Sequence, residues 1–215
     1  MYVPSHFAAD DADALIKRLA RRWAGVLVTV GPDGAPVATH APILWDAEKK
    51  IATGHIARAN PQWKQGPGKG LIILSGAEAY VTPNWYPSKA EHGKQVPTWN
   101  YEAVHITGAI EWFEDPDRLE AVVRDLSALH EEGRAEPWSV GDAPRSYIDA
   151  LKRGIVGVSL TAERIEAKRK LSQNKSEADF NGVVAGLAEA ADPLTREVSA
   201  LMRGARALAD DPEGN

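Results

Sequence analysis

Hydrophobic positions change period several times along the chain, and each change marks an element. Between Asp10 and Trp23, Leu15, Ile16, Leu19 and Trp23 recur at steps of three and four, with aspartates early and Lys17, Arg18, Arg21 and Arg22 late. Stripe and charge order both predict a helix, because carboxylates favour its N-terminal end and cations its C-terminal end. Gly25 to Val30 is continuous and β-branched, as in a strand buried on both faces. Asp33-Gly34 supplies a turn, and Val37 to Trp45 returns as the second arm of a hairpin. Ile51 to Ile56 predicts a third strand, Leu71 to Ser75 a fourth, and Ala79 to Thr82 its continuation after a break at Gly76. Asn60-Pro61 opens one or two helical turns between them.

Pro83 to Pro97 is a long polar and aromatic connection, of a length that commonly carries function or motion. In Thr98 to Phe113, Val104, Ile106, Gly108, Ile110 and Trp112 alternate with His105, Thr107, Ala109 and Glu111, the clearest half-buried strand in the sequence. Asp115-Pro116 predicts a helix to about His130, with Asp as cap and Pro in the first turn. Ala143 to Lys152 reads as a helix and Ile155 to Thr161 as a strand. Ser176 and Asp192-Pro193 start two further helices with Leu187, Leu194, Val198 and Leu201. Hairpins outnumber strand–helix–strand units, which predicts an α+β fold, a closed antiparallel barrel decorated by helices. Residues 1–175 would form the barrel domain. Residues 176–209 would form a helical extension on the barrel or a dimer partner, ahead of a short acidic tail from Asp210.

Composition narrows the chemistry. The 215 residues are 44% hydrophobic and 26% charged, ordinary for a globular protein and against disorder or a coiled coil. No stretch approaches the roughly 18 apolar residues of a membrane helix, and the N-terminus lacks the pattern of a secretory signal. Cysteine is absent, which removes thiol nucleophiles, disulfides and cysteine–metal sites and fits a cytoplasmic setting. The net charge of −5 gives DNA binding no support, although the dense basic run from Arg164 to Lys175 leaves it open. The six His show no metal-ligand spacing, so no metal site is expected. Gly66-Pro67-Gly68-Lys69-Gly70 lacks the Ser or Thr and the following helix of a phosphate loop. No residue stands out as a general acid, base or nucleophile.

Three segments carry candidate ligand chemistry. In His55-Ile56-Ala57-Arg58-Ala59-Asn60-Pro61, a strand runs into a capped turn beside Arg58, a setting for a phosphate or for a plain solvated turn. In Lys168-Arg169-Lys170-Leu171-Ser172-Gln173-Asn174-Lys175, four cations and neutral amides converge before a helix start, to read a heterocycle or to face water at a strand exit. Asn84-Trp85-Tyr86 and Thr98-Trp99-Asn100-Tyr101 place rings at both ends of the long connection, to wall a planar ligand or to plug the barrel. Together they supply what a flavin mononucleotide requires.

Met1-Tyr2-Val3-Pro4, Gly54-His55-Ile56-Ala57-Arg58-Ala59-Asn60-Pro61, Thr82-Pro83-Asn84-Trp85-Tyr86, Val96-Pro97-Thr98-Trp99-Asn100-Tyr101 and Lys170-Leu171-Ser172-Gln173-Asn174-Lys175 together resemble the PaiB-like family of FMN-binding negative transcriptional regulators. The match runs in order over about residues 1–205. The resemblance implies a split β-barrel like that of the pyridoxamine phosphate oxidase and flavin reductase group, and a homodimer with FMN between subunits. It implies His55, Ala57, Arg58 and Asn60 on the phosphate side, with Lys168, Lys170, Ser172, Gln173 and Asn174 facing the same ligand. Thr39 and His40 fall to the isoalloxazine side, and Trp99 to its wall. On the second strand, the oxidase group's Arg and Lys phosphate motif is not legible. The alternative activity is a flavin-dependent oxidoreductase acting on a small molecule. The cofactor reading expects residues 55–60 and 168–174 to form one cradle for a dianion.

Overall fold

The computed structural model describes residues 1–210; the expected acidic tail beyond Asp210 lies outside them. Seven strands are β1 (Gly25–Val30), β2 (Pro36–Ala41), β3 (Ile43–Asp46), β4 (Ile51–Ala57), β5 (Gly68–Val81), β6 (Thr98–Phe113) and β7 (Ile155–Lys170). They form one sheet in the order β2-β1-β5-β6-β7-β4-β3. The helices are α1 (Ala12–Arg22), α2 (Ser88–His92), α3 (Pro116–Glu131), α4 (Arg145–Lys152), α5 (Glu177–Ala188) and α6 (Pro193–Asp210). The fold is α+β, a split antiparallel barrel with helices.

Three strands differ from expectation. Pro42, which has no N–H to give a ladder, separates β2 from β3 where one strand was expected. Gly76 does not break β5, which runs 14 residues. β7 continues to Lys170, so most of the basic run is strand. The long connection carries α2, and its Gly93 ends that helix at φ 67°, in the left-handed region open to glycine.

The chain divides into two compact units. One comprises Asp11–Leu74 and Val104–Glu166. In it, β1 pairs with β2 from Gly25↔Ala41 to Val30↔Pro36, and β4 pairs with β7 from Ile51↔Thr161 to Ala57↔Ile155. Alternation sends Ala52, Gly54 and Ile56 of β4 inward and leaves Ile51, Thr53 and His55 on the opposite face. Helix α1 buries Leu15, Ile16 and Leu19, and its Asp13 accepts from Trp45 Nε1 at 2.9 Å. Helix α3, capped by Asp115 accepting from Arg118 N, packs Leu119, Val122 and Leu126 with Phe113 beside Leu44.

The other unit comprises Met1–Asp10, Ser75–Ala103 and residues from Ala167 onward. Its core joins Ala77, Ala79 and Val81 of β5 to Tyr86, Leu171 and the inner faces of α5 and α6. Gly182 and Gly186, about one turn apart on α5, make a notch for Trp85: a Cβ at either would lie 2.1 Å from its carbonyl oxygen or 2.3 Å from its ring. Trp85 is thus a packing residue. Asp179, on the first turn of α5, fastens the long connection by accepting from Ser88 N at 3.1 Å and Ser88 Oγ at 2.7 Å.

Candidate functional site

The predicted residues fall into two sets, one in each unit. In the first unit, the chain leaves β4 at exposed Ala57 and turns at Arg58 to Asn60. Asn60 caps the turn as its sequence predicts, with Oδ1 accepting from Gln62 N at 3.0 Å. Its Nδ2 donates to Thr39 Oγ1 at 2.8 Å, joining two of the predicted residues directly. That threonine accepts one bond and keeps its own O–H for another acceptor. His40, one residue on, points to the other face of β2 and is exposed. After Asn60 the chain makes a five-residue 3-10 turn, too short for much dipole, so this segment offers individual donors.

Arg58 is heavily committed inside the protein. Nε donates to Arg153 O at 2.7 Å, Nη2 to Ile155 O at 3.3 Å, and Nη1 pairs with the Glu114 carboxylate. Trp63 Nε1 donates back to Arg58 O at 3.0 Å. The guanidinium therefore staples the turn to the start of β7. His55 is half-buried on β4, opposite Gly157. Its Nδ1 is buried without a partner, and burial holds its pKa below the ordinary histidine value. It lines a cavity of about 270 Å³ with Pro42, Leu126, His130 and Trp138.

In the second unit, the basic stretch and the strand-entry rings form one constellation. Lys168 is buried, with Nζ donating to Tyr2 O at 3.2 Å and lying 5.2 Å from the centre of the Tyr101 ring. Arg169 Nε pairs with Glu102 at 3.0 Å. Lys170 Nζ donates to Trp99 O at 2.8 Å and to Thr98 Oγ1. Burial first, then Lys168 and Lys175, push the Lys170 ammonium below the usual lysine range, with Tyr101 opposing. Ser172 is buried at φ 64°, its hydroxyl within 2.9 Å of Asn100 Nδ2. Gln173 folds back on its own chain, accepting from Leu171 N at 2.7 Å and donating to Arg169 O at 2.6 Å. Asn174 is exposed. The Trp99 ring stays half open, 50% exposed, edge-on to Tyr80 at 6.1 Å.

Of the two readings of residues 168–175, a strand exit facing water describes Asn174 alone. β7 carries Lys168 against the Tyr2, Phe7 and Tyr101 rings, Arg169 and Lys170 are half-buried, and Arg164 and Asn174 reach water. Sequence reasoning passed over Gln62, which is 1% exposed and binds Thr29 Oγ1 at 2.9 Å and Val37 O at 3.2 Å. It also passed over Glu102. The signal for Glu102 was available: Asn100 and Glu102 continue the inward alternation of Val104 and Ile106, and a polar residue at an inward position must find a partner. No equivalent signal marks Gln62. Among the described residues, no cluster of three or more His, Asp or Glu is placed to hold a metal ion.

Comparison with known proteins bears on this geometry. The chain is 31% identical over 206 residues to "Protease synthase and sporulation protein PAI 2" of Bacillus subtilis (strain 168), covering 94% of this chain and 96% of that protein. It is 36% identical over 167 residues to an uncharacterized protein of Aspergillus fumigatus, covering 62% of this chain and 64% of that one. In fold it is similar to the conserved hypothetical protein Rv2991 of Mycobacterium tuberculosis, at a TM-score of 0.57, 16% identity, and coverage of 82% of this chain and 95% of that one. It also resembles the flavocytochrome Anf3 of Azotobacter vinelandii, at 0.56, 14% identity, and coverage of 84% and 78%. Residues 1–164, which contain Thr39, the Ala57–Asn60 turn and Trp99, match the family described as "Putative FMN-binding domain". The chain is a PaiB-like member of that family, and FMN is the cofactor that membership assigns to it.

Proposed function

We propose that the protein is an FMN-binding homodimer of regulatory type, in which occupancy or redox state of the flavin alters an interaction with another molecule. The match of residues 1–164 to the FMN-binding family carries the reading. The donor chemistry fits the cofactor. Thr39 has a free hydroxyl proton, His55 Nδ1 is an unpartnered buried polar atom, and Ala57 leaves open surface beside the turn. Lys170 offers an ammonium held on the Trp99 carbonyl, and the Trp99 ring is half exposed; a cation and a flat ring are what an anionic aromatic cofactor needs. Bound FMN would supply reversible electron uptake, and the protein placement and polarity.

In this reading His55, Ala57 and Asn60 serve the phosphate side, with Arg58 holding the turn in shape; Thr39, expected on the isoalloxazine side, is drawn to the phosphate side by its bond from Asn60. His40 is the ring-side candidate of the first unit, and Trp99, Lys168, Lys170, Ser172, Gln173 and Asn174 form the candidate set of the second. The regulatory role is what the resemblance to the PaiB-like family implies, and membership of the FMN-binding family supports only its flavin part. A cytoplasmic setting goes with it, and no helix among the described residues is long and apolar enough to cross a membrane. Direct DNA contact through the basic stretch is not part of it, since Lys168 and Arg169 are held by Tyr2, Tyr101 and Glu102.

Titration with FMN and with riboflavin, which lacks the phosphate, tests the reading. The unsubstituted protein should hold FMN at least about tenfold tighter, roughly 1.4 kcal/mol. Ala57→Asp, on the exposed end of β4, should erase that preference while leaving the melting temperature and riboflavin binding near their starting values. Equal binding of the two flavins, or FMN binding indifferent to Ala57→Asp, would overturn the phosphate-side assignment. Sedimentation as a monomer at micromolar concentration would overturn the dimer.

A further inference from the structure

The lysines of the basic stretch lack the partner that lysines usually have. Among the described residues, none of Lys168, Lys170 and Lys175 is paired with a carboxylate; their acceptors are Tyr2 O, Thr98 Oγ1 with Trp99 O, and Gln95 Oε1. Of the carboxylates in the same unit, Glu102 is taken by Arg169 and Asp179 by Ser88 and Gln95. Strand alternation sorts these groups. Lys168 and Lys170 share one face of β7 with Tyr101 of the neighbouring β6, and Arg169 meets Glu102 on the other. The first face therefore carries cations that no acidic side chain offsets.

Lys170 is the reachable one. Lys168 is closed under the Tyr2, Phe7 and Tyr101 rings at 7% exposure, whereas Lys170 ends β7 half-buried. Its Nζ has two neutral oxygens as acceptors and, among the described residues, no third partner. An ammonium carries three N–H groups, and a neutral amine carries two and a lone pair. The start of β6 thus satisfies the neutral amine in full and leaves its lone pair free. Burial and the charges of Lys168 and Lys175 favour that same form, with Tyr101 opposing. A desolvated amine among other cations is a nucleophile toward carbonyl carbon, and uncompensated positive charge draws in anions.

We propose that Lys170 is a site of reversible imine formation with a small carbonyl compound that carries a negative charge. The nitrogen lone pair forms a C–N bond to the carbonyl carbon, the C–O bond breaks, and the oxygen leaves as water with the two amine protons. No oxidant or reductant is consumed, and water reverses the link. The proposal goes beyond the flavin reading and does not rest on it, because the link forms without flavin.

Two aldehydes of similar shape and opposite charge, 4-carboxybenzaldehyde and 4-(trimethylammonio)benzaldehyde, make the probe pair. Each is offered to the full-length protein without added flavin, in the presence of cyanoborohydride. The reagent delivers hydride to the imine carbon and leaves a stable secondary amine, which peptide mass mapping locates. Exposed Lys94, in the same unit, is the internal reference. With the carboxylate probe at neutral pH, Lys170 should be labelled about tenfold faster than Lys94. The cationic probe should show at most about a third of that preference. The pH profile of labelling should rise at a lower pH for Lys170 than for Lys94. Lys175→Gln, which removes one half-buried cation, should lower the preference for the carboxylate probe about threefold. The proposal is overturned if Lys94 reacts as fast as Lys170, if the cationic probe is as selective as the anionic one, or if the two pH profiles coincide.

Discussion

Residues 57–62 and 168–175 are both short polar stretches around a strand end, and they use their polar groups in opposite ways. In the first, Arg58, Asn60 and Gln62 turn inward on carbonyls and on Thr39, and exposed Ala57 lies beside them. The charged group there acts as a fastener, with the Arg58 side chain still 37% exposed. In the second, cations are taken out of water against rings and one carboxylate, and Glu102 is 1% exposed. A half-solvated fastener loses little when cut, because water replaces the lost bonds. A desolvated pair loses much, because the surviving partner is stranded. The two stretches look alike in sequence and should behave differently under substitution.

The largest expected effect belongs to the desolvated pair. Glu102→Leu takes the 3.0 Å carboxylate away from an Arg169 side chain that is only 20% exposed, which should cost about 3 kcal/mol and lower the melting temperature by about 6–12 °C. Changing both partners, with Arg169→Met added, should recover part of the loss, since apolar replacement of a buried pair is often neutral. Thermal melts of the two variants check this. A loss below about 1 kcal/mol for Glu102→Leu would mean that water reaches the pair, and the contrast between the stretches would fail.

Arg58→Ala should cost less, about 1–2 kcal/mol, because its partners are two carbonyls and an exposed carboxylate. The damage should be local. Hydrogen exchange should quicken at Arg58 N, which donates to Gly154 O at 2.8 Å, and at the start of β7. Arg58→Lys should rescue little, because one ammonium cannot serve acceptors that a planar fork reaches separately. Full rescue by lysine would show that charge alone matters at this position, which is what a phosphate contact would demand and a staple would not.

Much of this was legible in the chain, for identifiable reasons. Asn60, Asp115, Ser176 and Asp192 each cap the element their sequence predicts, because a cap needs only one side chain and the next few N–H groups. Strand alternation placed the inner face of β6 for a similar local reason. What was not legible depends on distant partners. Nothing near Arg58 says that Glu114 and Arg153 will absorb its donors, and nothing near Lys168 says that Tyr2 will lie over it. Trp85 and Trp99 stood equal in sequence, and only the Gly182 and Gly186 notch separates a packing ring from an open one. The length of β7 was missed because its second half is polar, and polarity reads as loop when the covering residues are far away in sequence.

The smallest effect is a dependence on pH, and it sharpens the contrast from the side of the first unit. His55 Nδ1 is buried without a partner, and burial lowers the pKa of the imidazole in the folded chain. The unfolded chain keeps an ordinary value near 6.5. The fold therefore prefers the neutral ring. Above about pH 6.5 both states are neutral and the preference changes nothing. As pH falls through that value, the unfolded chain takes up the proton first and stability drops, until the folded ring titrates at its lower pKa. His55→Gln, which cannot titrate, should flatten this fall in the denaturant midpoint between pH 7.5 and pH 5.5. It should not abolish the fall, because His105 is shifted in the same direction, with burial the largest cause. His130 and Glu131 line the same small cavity, so a ring reached by the Glu131 carboxylate on protonation would titrate near its ordinary value. An unchanged slope in His55→Gln would therefore mean that the carboxylate offsets burial. The first unit would then hold no desolvated titrating group at this position, and the cost of burying charge would rest more heavily on the Lys168–Lys175 stretch.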